Sequence, residues 1–280
     1  MTADAPGVAP HRSALVRLVA EHGRSPPLDL ATALMAAEEQ PGTDPARTLA
    51  ALDEAASGLH VPEGANVYER VARISHAMFE VRGFAGDTED YDAPRNSFLD
   101  QVLERGKGHP ILLSVVFMEV GRRVGVTVDG ISFPGHFVVA PRDAEPRFYV
   151  DPFNGGRVLR DPDLRAHLAK TAGTCEVSPD AWRRFTGAVD SSSILQRMNN
   201  NLKRSWSRRG DLGGALRAVD RNLVLAPDST LEIRDRGMLL AQLGRLEEGI
   251  AYLERYLQVD PEAWDAQRIE KALMFLRRRA

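Results

Sequence analysis

Residues 108–156, GHPILLSVVFMEVGRRVGVTVDGISFPGHFVVAPRDAEPRFYVDPFNGG, contain the change of hydrophobic period on which the fold class turns. Residues 111–124 are apolar nearly all round, the pattern of a helix buried on every side. Pro110 suits the first helical turn, where a missing N–H leaves no bond unmade, and Arg122 and Arg123 suit a helix C-terminus. Beyond Gly125 the pattern shortens. Residues 126–133 (VTVDGISF), 137–140 (FVVA) and 147–150 (RFYV) are rich in β-branched or aromatic side chains and separated by turn residues, so they read as antiparallel strands. A buried helix followed by a small antiparallel sheet is an α+β module.

Upstream, residues 1–10 are rich in Ala, Pro and Gly without periodicity and read as a flexible tail. Apolar residues then recur at three- and four-residue steps over 13–20, 28–39 and 44–59, predicting short amphipathic helices divided by Pro26, Pro27, Pro41 and Pro45. A fourth helix is predicted over 67–81 with Gly83 as its stop, then an acidic loop over 86–94 (GDTEDYDAP) and a helix over 97–104.

Downstream, the chain turns helical again from about Ile194, with an internal period. Gly210 and Gly244, Leu212 and Leu246, Leu223 and Leu257, and Pro227 and Pro261 are each 34 residues apart, the tetratricopeptide spacing. Small Ala215 and Gly249 would let paired helices approach closely. The predicted organisation is a tail (1–10), a mixed domain (11–190) and an all-α repeat array (191–280), with repeats at 196–229 and 230–263 and a capping helix at 264–279.

The 280 residues are 43% hydrophobic and 27% charged with a net charge of -3, which gives no global electrostatic case for nucleic acid or an anionic membrane. No apolar run approaches the ~20 residues of a spanning helix, and the first residues hold no apolar signal segment, so the expected location is cytoplasmic. One cysteine, Cys175, excludes an internal disulfide framework and a multi-cysteine zinc site. Phosphate-loop and dinucleotide patterns are absent, and no cofactor is expected.

The sharpest chemical feature is His136, after the turn Pro134-Gly135, with Asp151, before Pro152. Neighbouring antiparallel strands can bring the two together, and a carboxylate beside an imidazole fixes its tautomer and stabilises its charged form, the orienting half of a nucleophile–His–Asp triad. His109 could reach the same cleft and suggests a metal site with His136 and Asp151, but two histidines and an aspartate lack a recognisable ligand spacing, so no metal is expected. The basic residues Arg183, Arg184, Arg197, Lys203, Arg204, Arg208 and Arg209 read as a solvated face. Asn199, Asn200 and Asn201 fall in the first repeat helix, where they could bond a peptide backbone.

Residues 80–156, through the motifs GFAGD, NSFL, PGHF and DPFNGG, resemble the transglutaminase-like core of the SirB family, and residues 28–59 resemble that family's opening helices. The resemblance implies a papain-like core preceded by helices and followed by tetratricopeptide repeats. It carries His136 and Asp151 onto the family's histidine and aspartate. The nucleophile position falls at Ile111 or Leu112, neither of which can attack a carbonyl. Where many members have a GIPISLS-like run, this chain has GHPILLS, so only Ser114 survives of those serines. The expectation is a non-catalytic transglutaminase-like protein that binds another protein or peptide through its repeats, as an interaction or regulatory module. The alternative is a cryptic peptidase, amidase or transglutaminase-like enzyme using Ser114 or Cys175 with His136 and Asp151. Asn96, His109, Asn154 and Asn200 complete the candidate binding residues.

Overall fold

The structure is a computed structural model describing residues 8–173 and 176–280. Helices α1 (Val8–His22), α2 (Leu28–Glu39), α3 (Pro45–Ala56) and α4 (Val67–Ser75) come first, and a π-helical turn, His76–Val81, continues α4. The short strand β1 (Ala85–Gly86) pairs in parallel with β2 (Lys107–Gly108), and the helix α5 (Leu99–Arg105) lies between them in sequence. Helix α6 (Pro110–Arg123) is followed by β3 (Val128–Ile131), β4 (Val138–Pro141), β5 (Tyr149–Asp151) and β6 (Arg157–Leu159), then α7 (Asp161–Ala172) and α8 (Pro179–Thr186).

Two compact units divide between Ile194 and Leu195. In the first, α6 is the axis: Leu112, Leu113, Val115, Val116, Phe117 and Val120 are all 0% exposed. Helices α2, α3, α4 and α5 pack on it from one side and β3 and β4 from the other. Each such side chain withdrawn from water contributes about 1.5–3 kcal/mol, so α6 is the energetic centre of the unit. Its C-terminal Arg123 is tied to Asp29 of α2 (3.1 Å) and Asp53 of α3 (2.7 Å).

The sheet is antiparallel in the order β3-β4-β5-β6. All four β4 residues are buried, because α6 covers one face and a second core covers the other. In that second core Phe133, Val138 and Tyr149 meet Leu164 and Leu168 of α7, with Trp182 and Phe185 of α8 packed against them. Helices α7 and α8 fall in a stretch for which the hydrophobic pattern gave no elements. Two further differences have local causes. Helix α1 starts at Val8, inside the stretch read as a tail, because Pro10 falls in the first turn, where it removes no intrahelical bond. The predicted helix over 67–81 widens to π geometry at His76, and there Phe79 lies against Phe117 of α6, their ring centroids 6.1 Å apart.

The second unit contains α9 (Ser191–Arg208) beyond Ile194, α10 (Leu212–Leu225), α11 (Thr230–Gln242), α12 (Leu246–Val259) and α13 (Ala266–Arg277). The close approach expected at Gly249 is present: a Cβ there would lie 2.9 Å from the Ala241 backbone nitrogen of α11. Charged links join alternate helices. Lys203 of α9 bonds Glu232 (3.0 Å) and Asp235 (2.8 Å) of α11, and Arg234 of α11 bonds Asp265 (3.0 Å) ahead of α13.

Candidate functional site: a histidine–aspartate pair at the start of the central helix

The register that pairs Val139 with Val150 puts Asp151 at the end of β5, with His136 just ahead of β4. The ring Nε2 of His136 lies 2.8 Å from Oδ2 of Asp151. The carboxylate is saturated. Oδ1 accepts from the backbone N–H groups of Phe153 (3.1 Å) and Asn154 (3.3 Å), while Oδ2 also accepts from the Asn154 side-chain amide (2.7 Å). Burial disfavours the charged form of Asp151, but the hydrogen bonds from His136 and Asn154 outweigh it and hold its carboxyl below the ordinary 3.8. With Nε2 engaged by Asp151, ring chemistry is directed to Nδ1.

The loop that presents Asp151 is locked by two rings lying on two glycines. Phe153 lies on Gly86, where a Cβ would sit 2.5 Å from the ring. Phe79 likewise covers the α-carbon of Gly156, whose φ of 76° also favours glycine. GFAGD and DPFNGG are thus two halves of one contact. NSFL supplies another fastening. Asn96 donates to the carbonyl oxygens of Asp90 (2.8 Å) and Tyr91 (3.3 Å), accepts from Arg105 (3.1 Å), and its carbonyl receives the His109 N–H (3.0 Å). Arg105 also pairs with Asp87 (2.8 Å). Burial opposes ionisation of Asp87, yet the Asp90 N–H and Arg105 hold its carboxyl below the ordinary 3.8. Asn96 and Asp87 thus shape the acidic loop, and Asn96 spends its side chain on that task.

His109 is buried ahead of α6, its ring 4.7 Å from Tyr91 in an edge contact. Among the described residues no group of three or more His, Cys, Asp or Glu side chains is arranged to hold a metal ion, so the suggested His109–His136–Asp151 metal site does not form. Ile111 and Leu112, where the family resemblance places the nucleophile, are 1% and 0% exposed. Ser114 is fully buried one turn along α6, and its Oγ has no hydrogen-bond partner among the described residues, so it is not joined to His136. Cys175 lies outside the described residues.

In the repeat unit, Asn200 accepts from Asn222 of α10 (3.0 Å) and Asn199 from Arg221 (2.8 Å). These bonds engage the side-chain oxygens of both residues in holding α9 on α10.

The pattern did not single out His167, Lys170 or Arg157. His167 of α7 stacks on His136, ring centroids 5.3 Å apart. Burial and the adjacent His136 keep its imidazole below the ordinary 6.5, although the Pro134 carbonyl works the other way. With His136, Asp151, Tyr91, Pro110, Phe153 and Asn154, these residues line a cavity of about 430 Å³ at the start of α6. The spacing of Leu164 and Leu168, between Pro162 and Gly173, was the available signal for α7 and so for His167.

Residues 46–200 match the family model described as the transglutaminase-like superfamily. The chain belongs to the transglutaminase-like superfamily. Residues 202–274 of this transglutaminase-like chain match a tetratricopeptide repeat model. It is 36% identical over 208 residues to a UPF0162 protein of Xylella fastidiosa, covering 74% of each chain. A UPF0162 protein of Pseudomonas aeruginosa is 30% identical over 253 residues, 89% of this chain and 91% of that one. Human F-box only protein 21 is 27% identical over 166 residues, 56% of this chain and 23% of that one. No helix of the described residues is long and apolar enough to cross a membrane.

Proposed function

We propose that this is a non-catalytic transglutaminase-like protein of the SirB type, whose repeat array engages another protein or peptide as a cytoplasmic interaction or regulatory module. The observation that carries the reading is the start of α6, where Ile111 and Leu112, at the position that the family resemblance assigns to the nucleophile, are buried in the core. A helix N-terminus beside an oriented imidazole favours a thiolate, and these aliphatic side chains supply none. Tetratricopeptide arrays present extended surfaces that take segments of other proteins, which supports the binding half of the proposal.

The full chain and a chain ending at Ile194 are compared as bait in cells of the source organism after cross-linking. Partners captured by the full chain and lost with the repeats are expected. An identical partner set in both rejects the binding role. Glutamine-containing peptides are offered in parallel, and His136-dependent release of ammonia would overturn the non-catalytic half. The intact His136–Asp151 pair favours one alternative, an amide-bond enzyme drawing on Cys175. Its signature is alkylation of Cys175 at pH 6 that slows at least tenfold in His136→Ala. A thiol equally slow in both proteins removes it.

A further inference from the structure

Resting on the non-catalytic reading of the core, we propose that the cavity beside His136 binds a small molecule with a carboxylate or phosphate group on an apolar body, its charge held by Lys170 and Arg157. The 430 Å³ cavity falls within the ~300–1,000 Å³ usual for ligand pockets. Its apolar wall is made by Phe153, Leu159, Leu164 and the ring of Tyr91, which meets Phe153 edge-on with centroids 5.8 Å apart.

The sign of the ligand follows from which polar groups in the wall already have partners. Both acids are occupied by protein donors. Asp151 accepts four hydrogen bonds, and Asp163 accepts from the Arg160 N–H (2.9 Å) and from Arg157 (3.3 Å). The capacity left over is cationic. Lys170 is exposed near the end of α7, and its ammonium group forms no hydrogen bond or ion pair among the described residues. Arg157, its side chain 66% exposed, gives one long bond to Asp163 and keeps most of its five donors. A wall with occupied carboxylates and unfilled cationic donors selects an anion, and the adjoining aromatic and leucine surface selects a ligand with an apolar body.

The test uses the full chain with carbon-13 in its histidine rings, titrated with phenylacetate and phenyl phosphate, with phenylacetamide and phenethylamine as neutral and cationic controls. Saturable shifts of the His136 and His167 signals are expected, at least tenfold tighter for one of the anions than for phenylacetamide. The tighter anion identifies the headgroup. The double variant Lys170→Glu, Arg157→Glu changes only exposed side chains and should weaken that binding at least tenfold with an unaltered melting temperature. Equal binding of the neutral or cationic probe, no saturable shift, or undiminished affinity in the double variant overturns the proposal. The probe reports on the core separately. Phenol released from phenyl phosphate, and abolished by His136→Ala, would overturn the non-catalytic reading and leave the binding result standing.

Discussion

In Asp151, burial works against ionisation while hydrogen bonds from His136 and Asn154 work for it, and the bonds prevail. A carboxyl whose pKa is lower folded than unfolded stabilises the fold fully above its unfolded value. That stability is lost as pH falls through the lower folded value. Asp151→Asn should therefore cost about 1–3 kcal/mol in chemical denaturation at pH 7, since it weakens charge-assisted bonds at a buried site. The difference from the parent should persist to about pH 4 and shrink only below it. A difference already gone at pH 6 contradicts this account. His167 offers a second check. Burial and the charge of His136 both depress its pKa, so His136→Ala should move the His167 midpoint up toward 6.5 in an NMR titration, and a downward or absent shift would refute the coupling. The His136–Asp151 pair was legible in the sequence only in part, because a hairpin allows two strand-end residues to meet without requiring it, and the family resemblance supplied the rest. His167 was not, because its place beside His136 comes from the docking of α7, and docking leaves no periodic trace at a single polar position.

Among elements, the loop after β5 and the α11–α12 pair make the sharpest packing predictions. Gly156→Ala adds a methyl group where the Phe79 ring already lies and requires a positive φ of alanine, so a loss of about 2–4 kcal/mol is expected from overpacking and backbone strain together. Phe79→Leu in the same chain should recover part of it, as read from denaturation midpoints, because only the steric share is relieved. Gly249→Ala meets backbone atoms of Ala241 and Gly237 rather than a flexible side chain. A cost of about 1–3 kcal/mol is expected in melting of the repeat unit, and a neutral outcome would mean that α11 and α12 separate more easily than their packing suggests. The repeats were legible because a 34-residue period is written into glycine, proline and small-residue positions at once. The π-helical turn was invisible for the opposite reason: the apolar residues Val71, Ile74 and Met78 keep an ordinary helical spacing, and the extra width serves Phe79, whose contacts with Phe117 and Gly156 are tertiary.

Across the whole molecule, the division between units falls inside α9, between Ile194 and Leu195. Ile194 is 1% exposed, and its Cδ1 is 3.1 Å from where a Cβ on Gly130 of β3 would sit, so the end of the first unit is completed by the first turn of α9. A chain ending at Asp190 should be less stable than one ending at Ile194 by roughly the 2–4 kcal/mol of a lost buried isoleucine, measured by thermal unfolding of the two fragments. Equal stability would return the boundary to Asp190. The rings of Phe79 and Phe153, resting on Gly156 and Gly86, knit together positions up to 77 residues apart. Such contacts constrain descent as well as folding. In an alignment of relatives, a side chain larger than hydrogen at position 86 should be accompanied by a smaller residue at 153, and one at 156 by a smaller residue at 79, so that the four columns vary as two linked pairs.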